Sequence, residues 1–260
     1  SAKESFISTR SFMRLFAGLT ACLIVLSATI WSGNGWAWRF PNELALFARE
    51  AEAEKKARFA LFVKRCRATG SLSCDEAAPG RTNVFIIGDS HASDAFNALV
   101  QQYPQNHYVL SGLAGCPPLV REDYNLLTVK HPNREGCIAR NEKLLYGASL
   151  SEADLVVINT VFSWYKPEHL ERTIAQIRKQ TEAPIIVLGN YMFFDEDLTE
   201  MIVREGSRTM NNHYQRKLAW HSFAFDDPLK ALSKELHFTY VSKRELLCSS
   251  ESINDCPLMF

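Results

Sequence analysis

The run Ile86-Ile87-Gly88-Asp89-Ser90-His91 sets a hydroxyl between a carboxylate and an imidazole, directly after the apolar stretch Val84–Ile87. If that stretch is a buried strand and a helix starts at Ala92, Ser90 occupies the strand-to-helix turn. Backbone N–H groups at a helix N-terminus favour negative charge, and Gly88 lets the chain turn tightly without a Cβ. A serine held there suits covalent acyl chemistry: its oxygen attacks a carbonyl while N–H groups hold the oxyanion. The plainer reading is a helix cap, a position that Asp and Ser favour anyway. A place after the first buried strand of an α/β domain weighs for the nucleophile.

Such a serine needs a base, and the chain has seven histidines: His91, His107, His131, His169, His213, His221 and His237. His91 shares the turn with Ser90 and should point elsewhere, as a structural or site-wall residue. His107 and His237 stand where strands begin, His169 starts a helix, and His213 and His221 fall in a helical stretch. Each reads as a packing or surface residue. Phe162, Trp164 and Tyr165 cluster after a later strand; they could stack on a sugar face, but packing is the commoner role.

Cysteine usage points to an oxidising compartment. Of seven cysteines, Cys22 lies in an apolar run, and the other six fall into the close pairs Cys66/Cys74, Cys116/Cys137 and Cys248/Cys256. Sequence alone does not fix their connectivity; nearest-neighbour disulfides are the simplest hypothesis. No C-x-x-C occurs and the spacings do not match structural zinc sites, so no metal site is expected.

These residues need positioning, and the apolar pattern shows by what. Val84–Ile87, His107–Leu110, Leu155–Ile158, Ile185–Leu188 and Phe238–Val241 read as short buried strands. Helical patterns cover Ala92–Tyr103, Glu168–Thr181, roughly Thr199–Trp220, and Pro228–Leu236. Apolar strands alternating with helices predict a parallel sheet covered on both faces, a three-layer α/β/α domain of flavodoxin-like outline. Ligands in such folds bind beyond the C-terminal strand ends, where the Gly88–His91 turn falls.

Upstream, Leu15–Trp31 carries no charge and matches the about 17–25 apolar residues that span a bilayer. Lys3, Arg10 and Arg14 precede it and Trp31, Trp36 and Trp38 follow, an arrangement for an N-inside helix with an aromatic belt. A signal peptide, with Gly35-Trp36-Ala37 as a poor cleavage site, is the competing reading, and a buried soluble helix a third. The organisation expected is a transmembrane helix over 1–37, a linker over 38–82 with a connector helix at Asn42–Arg65, and the α/β domain over 83–260. Lys+Arg and Asp+Glu are both 29, so no basic excess points to nucleic acid. With 47% hydrophobic residues, disorder is excluded.

Taken together, IIGDSHASDAF, GLAGCPPL and LCSSESINDCPL resemble the SGNH domain of membrane O-acyltransferases, in which an acyltransferase-3 (AT3) membrane domain is fused to a C-terminal extracytoplasmic SGNH domain. The resemblance covers roughly Cys66 to Phe260, and the apolar helix looks like the last span of the fusion. It implies an SGNH-hydrolase fold with Ser90 as nucleophile, passing an acyl group, usually acetyl, to a sugar hydroxyl of an exported polysaccharide or glycolipid such as O-antigen. The oxyanion donors would be the backbone N–H groups of Ser90 and Gly115, with Asn159 as the third and Asn190 as its rival. The domain itself would hold no cofactor; acyl-CoA would serve the AT3 domain in cis, in the cytoplasmic membrane, with this domain facing the periplasm or outside. The family's catalytic Asp-x-x-His is not in the chain, and it is expected shortly beyond Phe260, so a C-terminally incomplete piece is expected. A carbohydrate esterase and a non-catalytic glycan-binding remnant are the alternatives.

Overall fold

The computed structural model describes residues 9–32, 76–128, 132–191 and 223–247, together with positions 50, 53, 56, 57 and 74. The chain divides into two units, Ser1–Ala53 and Glu54–Phe260. The described part of the first unit is essentially one helix, α1 (Thr9–Ser32). Its Leu15, Phe16, Leu19, Leu23 and Ile24 are all exposed, and it is long and apolar enough to cross a membrane. Three of its hydroxyls bond back to the helix, Thr20 Oγ1 donating to the Phe16 carbonyl at 2.9 Å, Thr29 Oγ1 to that of Leu26 at 2.8 Å and Ser32 Oγ to that of Thr29 at 3.3 Å. Polar groups in hydrocarbon require such back-bonding, so α1 has the character of a transmembrane helix. The connector expected at Asn42–Arg65 lies outside the described residues, apart from Glu50, Ala53, Lys56 and Ala57, which are helical.

In the second unit five parallel strands form one sheet in the order β2-β1-β3-β4-β5: β1 (Asn83–Gly88), β2 (His107–Gly112), β3 (Leu155–Asn159), β4 (Ile185–Leu188) and β5 (Thr239–Val241). Every residue of β1 is buried, as a central strand covered on both sides demands. Val84 and Ile86 pack with Ala95, Phe96 and Val100 of α2 (Ala92–Gln102) on one face. Phe85, Ile87, Val156, Ile158 and Val187 face the other way. There they meet Leu144 and Leu145 of α3 (Arg134–Tyr146), Leu170, Ile174 and Ile177 of α4 (Pro167–Arg178), and Leu229 of α5 (Asp226–Glu235). This is the three-layer α/β/α fold with flavodoxin-like strand order. On the outer edge of β2 the Leu110 N–H donates to the Cys74 carbonyl at 2.8 Å.

The strands differ from expectation in their bounds: β1 spans Asn83–Gly88, β2 runs on to Gly112, β3 reaches Asn159, and β5 starts one residue late, after His237 with its φ of 52°. The helix expected near 199–220 lies outside the described residues. Helix α3 was not anticipated. Its inward face is Cys137, Asn141, Leu144 and Leu145, half of it not aliphatic, so apolar periodicity is faint there. Cys137 joins Cys116 in a disulfide that ties α3 to the loop after β2. Cys74 is also disulfide-bonded, while Cys66, Cys248 and Cys256 lie outside the described residues. Closing a 21-residue separation, the Cys116–Cys137 bridge should contribute about 3 kcal/mol. Replacing both cysteines by Ala should lower the urea-unfolding free energy by that amount; an unchanged midpoint would mean the loop is ordered without it.

Candidate active site

In this strand order the chain leaves β1 and β3 in opposite directions, opening a crevice beyond their C-terminal ends. Gly88, last residue of β1, is pressed against β3: a Cβ there would lie 1.9 Å from the Asn159 carbonyl oxygen. Only glycine permits that approach. Asp89 follows, 6% exposed, and its carboxylate straddles the crevice. Oδ1 accepts the His91 N–H at 2.9 Å, while Oδ2 accepts Thr160 Oγ1 at 3.0 Å and the Val161 N–H at 2.9 Å. One buried carboxylate therefore fixes the turn after β1 and the loop after β3 together. Ser90 is left exposed on that braced turn, immediately before α2.

A second brace comes from α3. The Arg140 guanidinium donates to the carbonyls of Gly88 at 2.5 Å, Ser111 at 3.0 Å, Cys116 at 2.7 Å and Pro117 at 3.2 Å, and to Asn141 Oδ1 at 2.9 Å. It ties the ends of β1 and β2 to the disulfide-bonded loop, and burial lowers its pKa to about 10. Asn141 Nδ2 also donates to the Pro117 carbonyl at 3.2 Å, and Thr173 Oγ1 to that of Pro118 at 2.6 Å. Gly115, just before the disulfide, is exposed with a φ of 67°, a left-handed turn position. Ser90 and Gly115 thus both follow strand ends that Arg140 holds.

Asn159, the last residue of β3, is fully buried, and both ends of its amide are engaged. Nδ2 donates to the His91 carbonyl at 2.6 Å and Oδ1 accepts from Lys243 Nζ at 2.8 Å. Asn190, its rival, clamps the backbone of Phe162 instead, accepting from its N–H at 2.8 Å and donating to its carbonyl at 2.7 Å. Asn190 therefore shapes the loop after β3, and Asn159 is the asparagine that reaches the serine turn. Phe162 and Tyr165 are fully buried packing residues, whereas Trp164 is exposed. His169 is a capping residue whose Nδ1 accepts the Lys166 N–H at 2.8 Å, and His107 Nε2 lies 2.8 Å from the Glu76 carbonyl at the opposite end of the sheet. His131, His213, His221 and residues 248–260 lie outside the described residues.

Sequence reasoning missed Lys243. It opens α6 (Lys243–Leu247), two residues after β5, and is 8% exposed. Its Nζ lies 3.5 Å from the Tyr191 ring centroid, and that ring stacks on His91 at 5.4 Å. Burial brings the Lys243 amine down to about 7, against the attraction of Asp94 and Asp89. Burial also lowers the His91 pKa. The only signal in the sequence was a lysine two residues after a strand, on the ligand side of the sheet.

The lysine makes the fold pH-sensitive. Unfolded, its amine keeps a proton up to about 10.5, whereas in the folded protein it keeps one only to about 7. Between these values the unfolded state binds more protons, so this residue's contribution makes stability rise with pH; below about 7 the burial penalty applies in full. Lys243→Met should therefore raise the unfolding temperature, most at or below pH 7 and less as the pH approaches 10. The penalty removed is on the order of a few kcal/mol. A mutant less stable than wild type at pH 7 would show that the lysine's contacts outweigh its desolvation.

A family model described as "SGNH domain (fused to AT3 domains)" matches residues 52–259. No curated protein and no solved structure matches the chain.

Proposed function

The chain belongs to the SGNH domain family that occurs fused to AT3 domains, and from that membership and the braced Ser90 turn we propose that it transfers an acyl group, acetyl being the expected one, to a sugar hydroxyl of an exported glycan. The observation that carries the reading is an exposed serine on a turn held by a buried carboxylate, at the mouth of the β1/β3 crevice. A residue meant only to cap a helix has no need of such bracing, but a nucleophile does, because small displacements of the reacting atom are costly.

The chemistry runs in two displacements. Ser90 Oγ attacks the carbonyl carbon of the incoming acyl group and passes its proton to a base. The carbonyl π pair moves onto oxygen, and as the carbonyl re-forms the leaving group departs with the proton that the base took from Ser90, giving an ester on Ser90 and a base free to act again. The sugar hydroxyl then attacks that ester, loses its proton to the same base, and Ser90 leaves with a proton restored. The base expected from the family resemblance is the histidine of an Asp-x-x-His segment, a spacing that the given sequence does not contain. Oxyanion stabilisation falls to the N–H groups of Ser90 and Gly115 and to the Asn159 amide. An AT3 membrane domain in cis supplies the acyl group from acyl-CoA on the cytoplasmic side, and α1 is its last span. The Cys116–Cys137 disulfide supports an oxidising, extracytoplasmic location for the domain, facing the periplasm or outside.

The test is a labelling experiment. The full-length protein is given an acyl donor labelled in its acyl group, quenched in acid and digested. Label on the peptide bearing Ser90, chased onto the glycan when acceptor is added, is the expected result. Label released only as free acid would make the protein an esterase, and an unlabelled Ser90 peptide would overturn the covalent route.

A further inference from the structure

The lysine that contacts Asn159 is buried and pairs with no carboxylate among the described residues. Such a group is expensive to keep, because desolvating an ammonium is repaid only by strong polar contacts. What it does contact is informative. An ammonium has hydrogens to donate and no lone pair, so only the oxygen of the Asn159 amide can face it. That single contact turns the Asn159 nitrogen the other way, onto the His91 carbonyl, one residue from Ser90. The amide orientation is thus dictated from both ends, and a flip would set N–H against ammonium and oxygen against oxygen.

We infer that Lys243 is a positioning residue for acyl transfer, holding the Asn159 amide with its nitrogen toward the Ser90 turn and polarising it as an oxyanion donor. The inference rests on the reading of Ser90 as the nucleophile. One Nδ2 hydrogen is used by the His91 carbonyl; the second is the one an oxyanion on the acyl group of Ser90 would take, once substrate reaches this buried amide. Positive charge at the amide oxygen draws electron density through the conjugated O–C–N system and strengthens the N–H as a donor. Three strand ends take part: β5 supplies the cation, β3 the amide and β1 the serine turn. The charged and titratable groups around the amine are Asp89 and Asp94 on the β1/α2 side, His91 beside them, and Tyr191, whose ring faces the ammonium. Since the amine loses its proton at about 7, polarisation weakens as the pH rises through that value.

The test uses detergent-solubilised full-length protein turning over an aryl acyl ester, with glycan acylation followed in parallel. Lys243→Met should lower kcat by about 10- to 100-fold, less than or equal to the loss of a whole oxyanion donor, with KM within about twofold. It should also remove a fall in kcat that the wild type shows above pH 7. Lys243→Arg keeps a permanent cation, so its activity should stay within a few-fold of wild type and persist to higher pH. If Lys243→Met fails to fold, the alkaline behaviour of Lys243→Arg decides alone. A wild-type kcat in Lys243→Met, or an alkaline limb unchanged in Lys243→Arg, would overturn the inference. Ser90→Ala is assayed alongside: if it turns over as wild type does, the nucleophile reading itself fails, whereas loss in Ser90→Ala without the lysine effects removes the lysine role only.

Discussion

Ser90→Ala in the full-length protein should abolish glycan acylation, lowering turnover by about 10⁴-fold or more, while leaving stability within about 0.5 kcal/mol. The size follows from the chemistry. Without Oγ no acyl-enzyme can form, and what survives is the binding and oxyanion stabilisation that a nucleophile-deficient site still offers. The absence of a folding effect follows from position: Ser90 is exposed, whereas the bracing of its turn is carried by Asp89, Gly88 and Arg140. The contrast with Asp89 is the control. Asp89→Ala leaves the hydroxyl of Ser90 in the chain but removes one hydrogen bond within the turn after β1 and two across the β1/β3 crevice, so it should lose both activity and stability. Acylation at the wild-type rate in Ser90→Ala, measured on purified glycan, would end the nucleophile assignment.

The second large effect is expected at Arg140. Arg140→Met removes donors from four main-chain carbonyls and the Asn141 side chain at once. Each buried acceptor left without a donor costs about 1–3 kcal/mol, and those costs overlap because the carbonyls share one region. Removing a buried cation returns some of its desolvation penalty. A net loss of about 3–5 kcal/mol is expected, a large part of a typical domain's total stability. Lysine should not rescue it: an ammonium has fewer donors, without the planar fork that reaches Gly88, Ser111 and Cys116 together. Urea unfolding of Arg140→Met and Arg140→Lys measures both claims. A midpoint unchanged in the methionine variant would mean that β1, β2 and the Cys116 loop hold together without the guanidinium.

Much of the architecture was readable from residue pattern because the elements that build it are strongly apolar. Ile185–Leu188 and Leu155–Ile158 are continuous apolar runs, and an α/β sheet has few other uses for them. Ser90 was readable for a related reason, since its place depends only on the strand before it and the helix after it. Helix α3 was not, because its inner face alternates a cysteine and an asparagine with leucines, and its chief contribution is an inward-turned arginine. An arginine in a polar helix reads as surface until the carbonyls around it are known. Lys243 was hidden in the same way, as a polar residue whose partners come from strands far away in sequence. Asn159 and Asn190 could not be separated by local pattern at all, both following strands of one sheet. Their difference lies in which loop each amide meets: the His91 carbonyl for one, the Phe162 backbone for the other.

The bond from Leu110 to the Cys74 carbonyl lies on the outer side of β2, at the margin of the sheet. A margin strand offers a row of free donors and acceptors that any extended chain can extend, including the same strand of another molecule. Cys74 is cross-linked through its sulfur, so the residue that takes up the Leu110 N–H is held there by a sulfur–sulfur bond as well as by main-chain pairing. The protein's protection against sheet-to-sheet self-association is therefore tied to the redox state of its surroundings. Made in a reducing cytosol, the same polypeptide would lose this guard on its flank together with the Cys116–Cys137 tie beside Gly115.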